Sequence, residues 1–230
     1  MKQVTTSGIV LHRTDFGEAD RIITFITSDQ GKIKAIAKGV RRSKAKLAGS
    51  VEPFGASDIS FIIGRGEINT LTSARLAKNY GSIVKDLDKT NAGFEFMSLI
   101  NKATQDKAEE GYYHLLDSSL AALNNPKISV ELTTIWFKMQ LLKLSGHTPN
   151  LNTDENGKKL AESKTYEFSF DKMRFAPDPK GKFKANHIKF MRLGFGHHLP
   201  EALQRVENVN KLAESCQSLI NTVLKSHVHI

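Results

Sequence analysis

Apolar and polar positions alternate between Val4 and Ser73 with the two-residue period of β-strands. Five runs, at 9–12, 21–27, 32–38, 57–63 and 67–73, are rich in Ile, Val, Thr and Phe and are separated by Gly, Asp or Ser turns. Gly64-Arg65-Gly66 predicts a hairpin between the last two. Five short strands with a longer connection after the third suit a small five-stranded barrel of the oligonucleotide/oligosaccharide-binding (OB) type better than a seven-stranded sandwich. After Lys78 the period becomes helical. Phe94, Met97 and Ile100 mark one helix, and Tyr112, Leu115, Leu116, Leu120 and Leu123 a second. Residues 128–144, with Trp136, are apolar around much of the circumference and predict the central helix of a bundle, ended by Gly146 and Pro149. Periodicity is lost over 147–185, where Tyr166, Phe168 and Phe170 alternate before Pro177-Asp178-Pro179. It returns near Asn186 and ends in the stripe Val209, Leu212, Ala213, Cys216, Leu219, Ile220, Val223 and Leu224. The expected fold is therefore α+β: a barrel domain over 1–78, then a helical domain over 79–230 with an irregular insertion at about 147–185.

Composition narrows the class. The 230 residues are 40% apolar and 25% charged, which excludes a disordered or collagen-like chain. Cys216 has no second cysteine to pair with, so no intrachain disulfide is expected. The first residues lack the apolar segment of a signal peptide, and no apolar run approaches the roughly 20 residues that span a bilayer. These features predict a cytoplasmic protein without a membrane partner.

The net charge is +9, and its distribution is uneven. Residues 30–51 hold Lys32, Lys34, Lys38, Arg41, Arg42, Lys44 and Lys46 and no acid, so they carry +7. Residues 158–192 carry +6, and every other stretch is neutral or negative. Concentration of this kind predicts a polyanion-binding surface. In the third strand, Ile33, Ala35 and Ala37 take one face while Lys32, Lys34, Ile36 and Lys38 take the other, with Lys32 and Lys34 about 6.7 Å apart. Strand lysines also block edge-to-edge aggregation, which accounts for two or three of them but not for seven without a counter-charge.

Gripping single strands also calls for stacking rings. Phe16, between the first two strands, is the candidate, with a ring folded over the barrel mouth as the alternative; Phe25, Phe54 and Phe61 read as core. Asp15, Glu18 and Asp20 could be taken as the carboxylates of a metal-dependent nuclease, but turn carboxylates more often accept backbone hydrogen bonds, and Asp20 beside Arg21 suggests a local ion pair. His197, His198, His227 and His229 read as solvated, without the spacing of a structural zinc site. Cys216 reads as a buried small hydrophobe. Phosphate-cradling loops and nucleophile elbows are absent from the sequence. A non-enzymatic binding protein is therefore expected, and the residues alone leave RNA and DNA both open.

Gly8-Ile9-Val10-Leu11, the run from Asp15 to Arg21, the basic loop from Lys38 to Lys44 and Glu52-Pro53-Phe54 resemble, in order and spacing, the N-terminal domain of RecO, the bacterial recombination mediator family. The segment from Leu141 to Pro149 resembles the close of that family's long helix. The resemblance implies a DNA repair and recombination protein that binds single- and double-stranded DNA and anneals complementary strands. It further implies partnership with RecR and with the C-terminal tail of single-stranded DNA-binding protein, and indirect help in loading RecA. Many members carry a four-cysteine zinc site after that proline. Here Thr153 and Asn156 stand where one Cys-x-x-Cys pair would fall, and the second pair is missing near Phe175-Ala176. The insertion is thus expected to be zinc-finger-like but cysteine-free, with no metal, and held by Tyr166, Phe168 and Phe170.

Overall fold

Strands β1 (Gln3–Phe16), β2 (Asp20–Thr27), β3 (Lys32–Ala37), β4 (Gly55–Ile62) and β5 (Ile68–Asn79) close into a barrel in the order β1-β2-β3-β5-β4. The computed structural model describes residues 2–104, 110–196 and 199–228. Within the barrel every strand pair is antiparallel except β3 with β5, whose parallel pairing closes it. β1 and β5 are longer than their apolar cores predict, because each partners two neighbours in succession. Val10, Ile23, Phe25, Ala35, Ala37, Ile59, Phe61 and Leu71 fill the interior. Each large aliphatic or aromatic side chain among them contributes roughly 1.5–3 kcal/mol. Gly8 is tightly packed: a Cβ there would stand 2.9 Å from the Ile59 Cδ1, so that side chain would have to shift.

Helices α1 (Leu87–Ala103) and α2 (Glu110–Asn124) pack on β1 and β2. Asp86 caps α1 by accepting from the Asp88 and Lys89 amides. Among the positions that mark α1, Met97 and Ile100 are buried, whereas Phe94 is 48% exposed and rests on Phe54 with ring centroids 4.8 Å apart. Phe96 takes the buried place instead. At the end of β5, Tyr80 and Lys78 both donate to the Asp117 carboxylate of α2, each at 2.6 Å. Secondary structure changes at residue 80, as the periodicity predicts. The compact units nevertheless divide later, into Met1–Asn125 and Pro126–Ile230, because these two helices belong with the barrel.

In the second unit α3 (Val130–Leu144) is the central helix, with Leu132, Ile135, Trp136, Phe137, Met139, Leu141 and Leu142 all buried. α4 (Ala185–Phe195) and α5 (Val209–His227) pack against it. The apolar stripe of α5 is buried from Leu212 to Leu224, and burial pushes the Cys216 thiol up to about 12, which leaves it protonated and inert. The segment expected to be irregular carries a three-stranded sheet of order β6-β8-β7, made of β6 (Asn150–Asp154), β7 (Tyr166–Ser169) and β8 (Arg174–Pro177). Tyr166 and Phe168 are buried there as expected. Phe170 is 43% exposed, and Phe175, which faces Tyr166, Phe168 and Phe183, is the buried centre.

Two histidines are expected to make this unit sensitive to acid. His187 accepts the Lys184 amide proton at Nδ1, 3.0 Å away, at the start of α4. His147, after α3, meets the His227 ring at 4.6 Å between centroids. Burial lowers the pKa of both, with Lys184 and His227 respectively adding to the effect. The unfolded chain therefore binds more protons than the folded one below about pH 6.5. The stabilisation is complete above that pH and is lost as pH falls through the lowered native values. The melting temperature of the full chain is expected to drop between about pH 7 and 5, and to drop less in His187→Asn; identical profiles for the two proteins would contradict this.

Candidate nucleic-acid interface

Between β3 and β4 the chain crosses one end of the barrel in successive turns, with Arg42, Ala45, Ala48 and Ser50 each donating to the carbonyl three residues back. Val40 and Val51 bury into the barrel core and Leu47 packs against it, so the loop is held down by its apolar residues. Its polar residues face water. Lys38, Arg42, Lys44 and Lys46 are all exposed and form no ion pair with any described residue. Two backbone contacts tie the loop to the β1–β2 hairpin. The Gly39 amide donates to the Asp20 carboxylate at 2.7 Å, and the Arg41 amide to the Ala19 carbonyl at 3.0 Å. Gly39 adopts a φ of +65°, which favours glycine at this bend.

Phe16 lies directly opposite Asp20 in the β1–β2 register and is 52% exposed. Of the two readings of this ring, exposure holds. It stands on the outward face of the sheet, level with the root of the basic loop. Lys34 is also exposed, with only a 4.0 Å approach to Glu67.

Lys32 departs from the expected role. Strand alternation puts its side chain on the outward face, as predicted, but α1 covers that part of the face. Its ammonium donates to the Asn101 carbonyl at 2.9 Å and to the Thr104 carbonyl, closing the C-terminal end of α1. Lys32 is a helix cap and is not available to a phosphate. Period-two reading finds the face of a strand but not what packs on it.

Arg41 is partly engaged, 3.4 Å from Asp15. It belongs to a ladder that inspection of charge runs does not reveal. Arg13 pairs with Glu52 at 2.7 Å, Arg21 reaches Glu52 at 4.0 Å and Asp15 at 2.7 Å, and Asp15 meets Arg41. The Arg21 hydrogen bond holds the Asp15 carboxyl below the usual range, and Arg41 and Arg13 add to the effect. The local pair expected between Asp20 and Arg21 does not form, because neighbours along a strand point to opposite faces. Arg21 instead meets Asp15, its cross-strand partner. With Asp15 bound to arginines and Asp20 to a backbone amide, the carboxylate set of the nuclease reading is dispersed. Among the described residues, three or more His, Cys, Asp or Glu side chains nowhere gather as a metal would require. His197, His198 and His229 lie outside the described residues.

In the second unit part of the basic segment is engaged by other groups of the protein. Lys172 pairs with Glu155, Lys189 pairs with Glu162, and the Arg192 guanidinium donates twice to the Leu151 carbonyl. Lys158, Lys159, Lys164, Arg174, Lys180, Lys182 and Lys184 remain exposed. At the positions of the implied zinc site the donors do not fit. Thr153 accepts from the Asn150 amide group at 3.0 Å, and Phe175 lies inside the ring cluster. Among the described residues no helix is long and apolar enough to cross a membrane. Between α3 and α5 a cleft of about 500 Å³ is lined by Ile135, Ala213, Glu131 and Glu214 among others.

The sequence matches the family described as Recombination protein O N terminal over residues 1–80 and that described as Recombination protein O C terminal over residues 84–212. It is 32% identical over 155 residues to the DNA repair protein RecO of Desulfatibacillum aliphaticivorans, covering 66% of this chain and 60% of that protein. The RecO of Dehalococcoides mccartyi is 34% identical over 152 residues (66% and 59%), and that of Bifidobacterium longum subsp. infantis 36% over 149 residues (64% and 62%). The matched stretches thus span about 60% of the length of these curated relatives.

Proposed function

We propose, from the premise that the chain belongs to the RecO family, that it is a non-enzymatic DNA-binding protein of recombinational repair. On this reading the basic loop and the outward face of the barrel hold the sugar-phosphate backbone. One observation carries the reading: Lys38, Arg42, Lys44 and Lys46 project from a loop anchored to a closed barrel, exposed and without an ion pair to any described residue, beside the exposed Phe16 ring. Cations on a fixed platform neutralise phosphate without reading sequence, and a neighbouring ring stacks on any base. Two strands so neutralised repel each other less, which favours pairing of complementary sequences. The exposed lysines of the second unit offer a further contact, which suits a protein that handles single- and double-stranded DNA. The finer family roles belong to the same proposal: partnership with RecR and with the tail of single-stranded DNA-binding protein, aid to RecA loading, and residence in the cytoplasm.

Five exposed cations, Lys34, Lys38, Arg42, Lys44 and Lys46, set the expected salt dependence. Against single-stranded DNA, log K should fall with log salt at a slope near −3.5, at about 0.7 per phosphate contact. Complementary oligonucleotides carrying a fluorophore and a quencher should anneal faster with the protein than without it. A flat salt titration, or no acceleration, would overturn the proposal; stronger competition by matched RNA than by DNA would redirect it to RNA. The proposal includes no zinc, because threonine, asparagine, phenylalanine and alanine stand where thiolates would be needed. Stoichiometric zinc by elemental analysis would contradict that part.

A further inference from the structure

The ladder at the barrel rim has a composition that the basic loop lacks. Arg13, Arg21 and Arg41 form a row whose gaps are bridged by Glu52 and Asp15. The guanidiniums are the less exposed partners, at 26%, 27% and 36%, and the carboxylates the more exposed, at 52% and 51%. Asp15 places one oxygen on the Arg21 Nε and the other toward the Arg41 guanidinium. Two oxygens of one anion shared between two arginines is also the way a phosphodiester is held.

Asp15 is not required to keep the loop in place. The Gly39 amide on Asp20 and the Arg41 amide on the Ala19 carbonyl already fix it to the hairpin, and Val40 and Val51 bury beneath it. Half-exposed ion pairs are also weak enough to be exchanged for a better anion.

We propose that Arg13, Arg21 and Arg41 are a second row of phosphate contacts, continuous with the basic loop, and that Asp15 and Glu52 are placeholders which backbone phosphates displace. The carboxylates keep three neighbouring guanidiniums oriented in the free protein and oppose binding until a phosphate takes their position. A short or weakly charged anion does not repay the displacement of both, whereas a polymer that engages the loop at the same time does. The row thereby favours long nucleic acid over isolated phosphates. This inference rests on the proposed DNA-binding role and deepens it.

The test is fluorescence anisotropy of the full chain with labelled oligothymidylate across a salt series, together with thermal melts. Asp15→Asn is expected to tighten binding about fivefold at 0.1 M salt and to steepen the salt slope by about 0.7, the contribution of one counterion no longer supplied from within the protein. Arg21→Ala should weaken binding on its own and abolish the gain from Asp15→Asn when the two are combined. If Asp15→Asn melts early, Glu52→Gln carries the same expectation at the other bridge. Unchanged or weakened binding in a carboxylate variant of parental melting temperature overturns the inference alone. Absence of salt-sensitive binding in the parent protein overturns the DNA-binding role beneath it.

Discussion

Replacing Arg42, Lys44 and Lys46 together by alanine is expected to weaken single-stranded DNA binding about a hundredfold at 0.1 M salt and to flatten the salt slope by about 2.1. Each phosphate contact contributes about 0.7 to the slope, and hence a factor of about five at that salt concentration. Three contacts multiply. The melting temperature should hardly move, because none of the three side chains is paired with a described residue and the loop is anchored through Val40, Leu47 and Val51. Strand annealing should fall with affinity. Lys32→Ala is the internal contrast. It stands in the same run of charge, yet it caps α1, so its loss should appear in the thermal melt and leave the salt slope unchanged. If the triple variant kept parental affinity, or if Lys32→Ala alone flattened the slope, the assignment of the interface would be wrong.

How much of this was legible in the sequence depends on which physical link is asked about. Alternation over 4–73 marked the strands and the faces of β3, since Ala35 and Ala37 are indeed inside. The composition of 30–51 marked the loop, where Lys38, Arg42, Lys44 and Lys46 are exposed. What alternation cannot supply is the third dimension. It placed Lys32 and Lys34 alike, and only the packing of α1 separates a helix cap from an exposed ammonium. The arginine ladder was hidden for a related reason. Residues 1–29 sum to −1, so Arg13 and Arg21 disappear in any count of net charge, and their partners are reached only through the β1–β2 register and the loop that carries Glu52. The alternation of Arg13 with Asp15 on one strand, ahead of Arg21 on the next, was the available signal. In the second unit Tyr166 and Phe168 were visible as an alternating pair, whereas Phe175 stands outside the aromatic alternation of 166–170.

Phe175→Ala should be among the most damaging single changes in the second unit, costing about 3–5 kcal/mol. The ring is 0% exposed, and its centroid lies 5.0 Å from Phe168, 5.5 Å from Phe183 and 6.4 Å from Tyr166, so its removal opens a cavity bounded by three other rings. Collapse into that cavity is obstructed. Gly181 approaches the Tyr166 backbone so closely that an added Cβ would stand 2.3 Å from its carbonyl carbon, which leaves the strand little room to shift. For a unit of this size each kcal/mol is worth about 4–8 °C, so the loss should exceed 10 °C in a melt followed by circular dichroism. Phe170→Ala, on a ring 43% exposed, should cost less than about 1 kcal/mol. The comparison also tests what holds the small sheet together. Where aromatic packing carries it, a chelator leaves the parental melt unchanged and the two phenylalanine variants differ widely. Where a bound metal carries it, the chelator lowers the melt and the two variants converge.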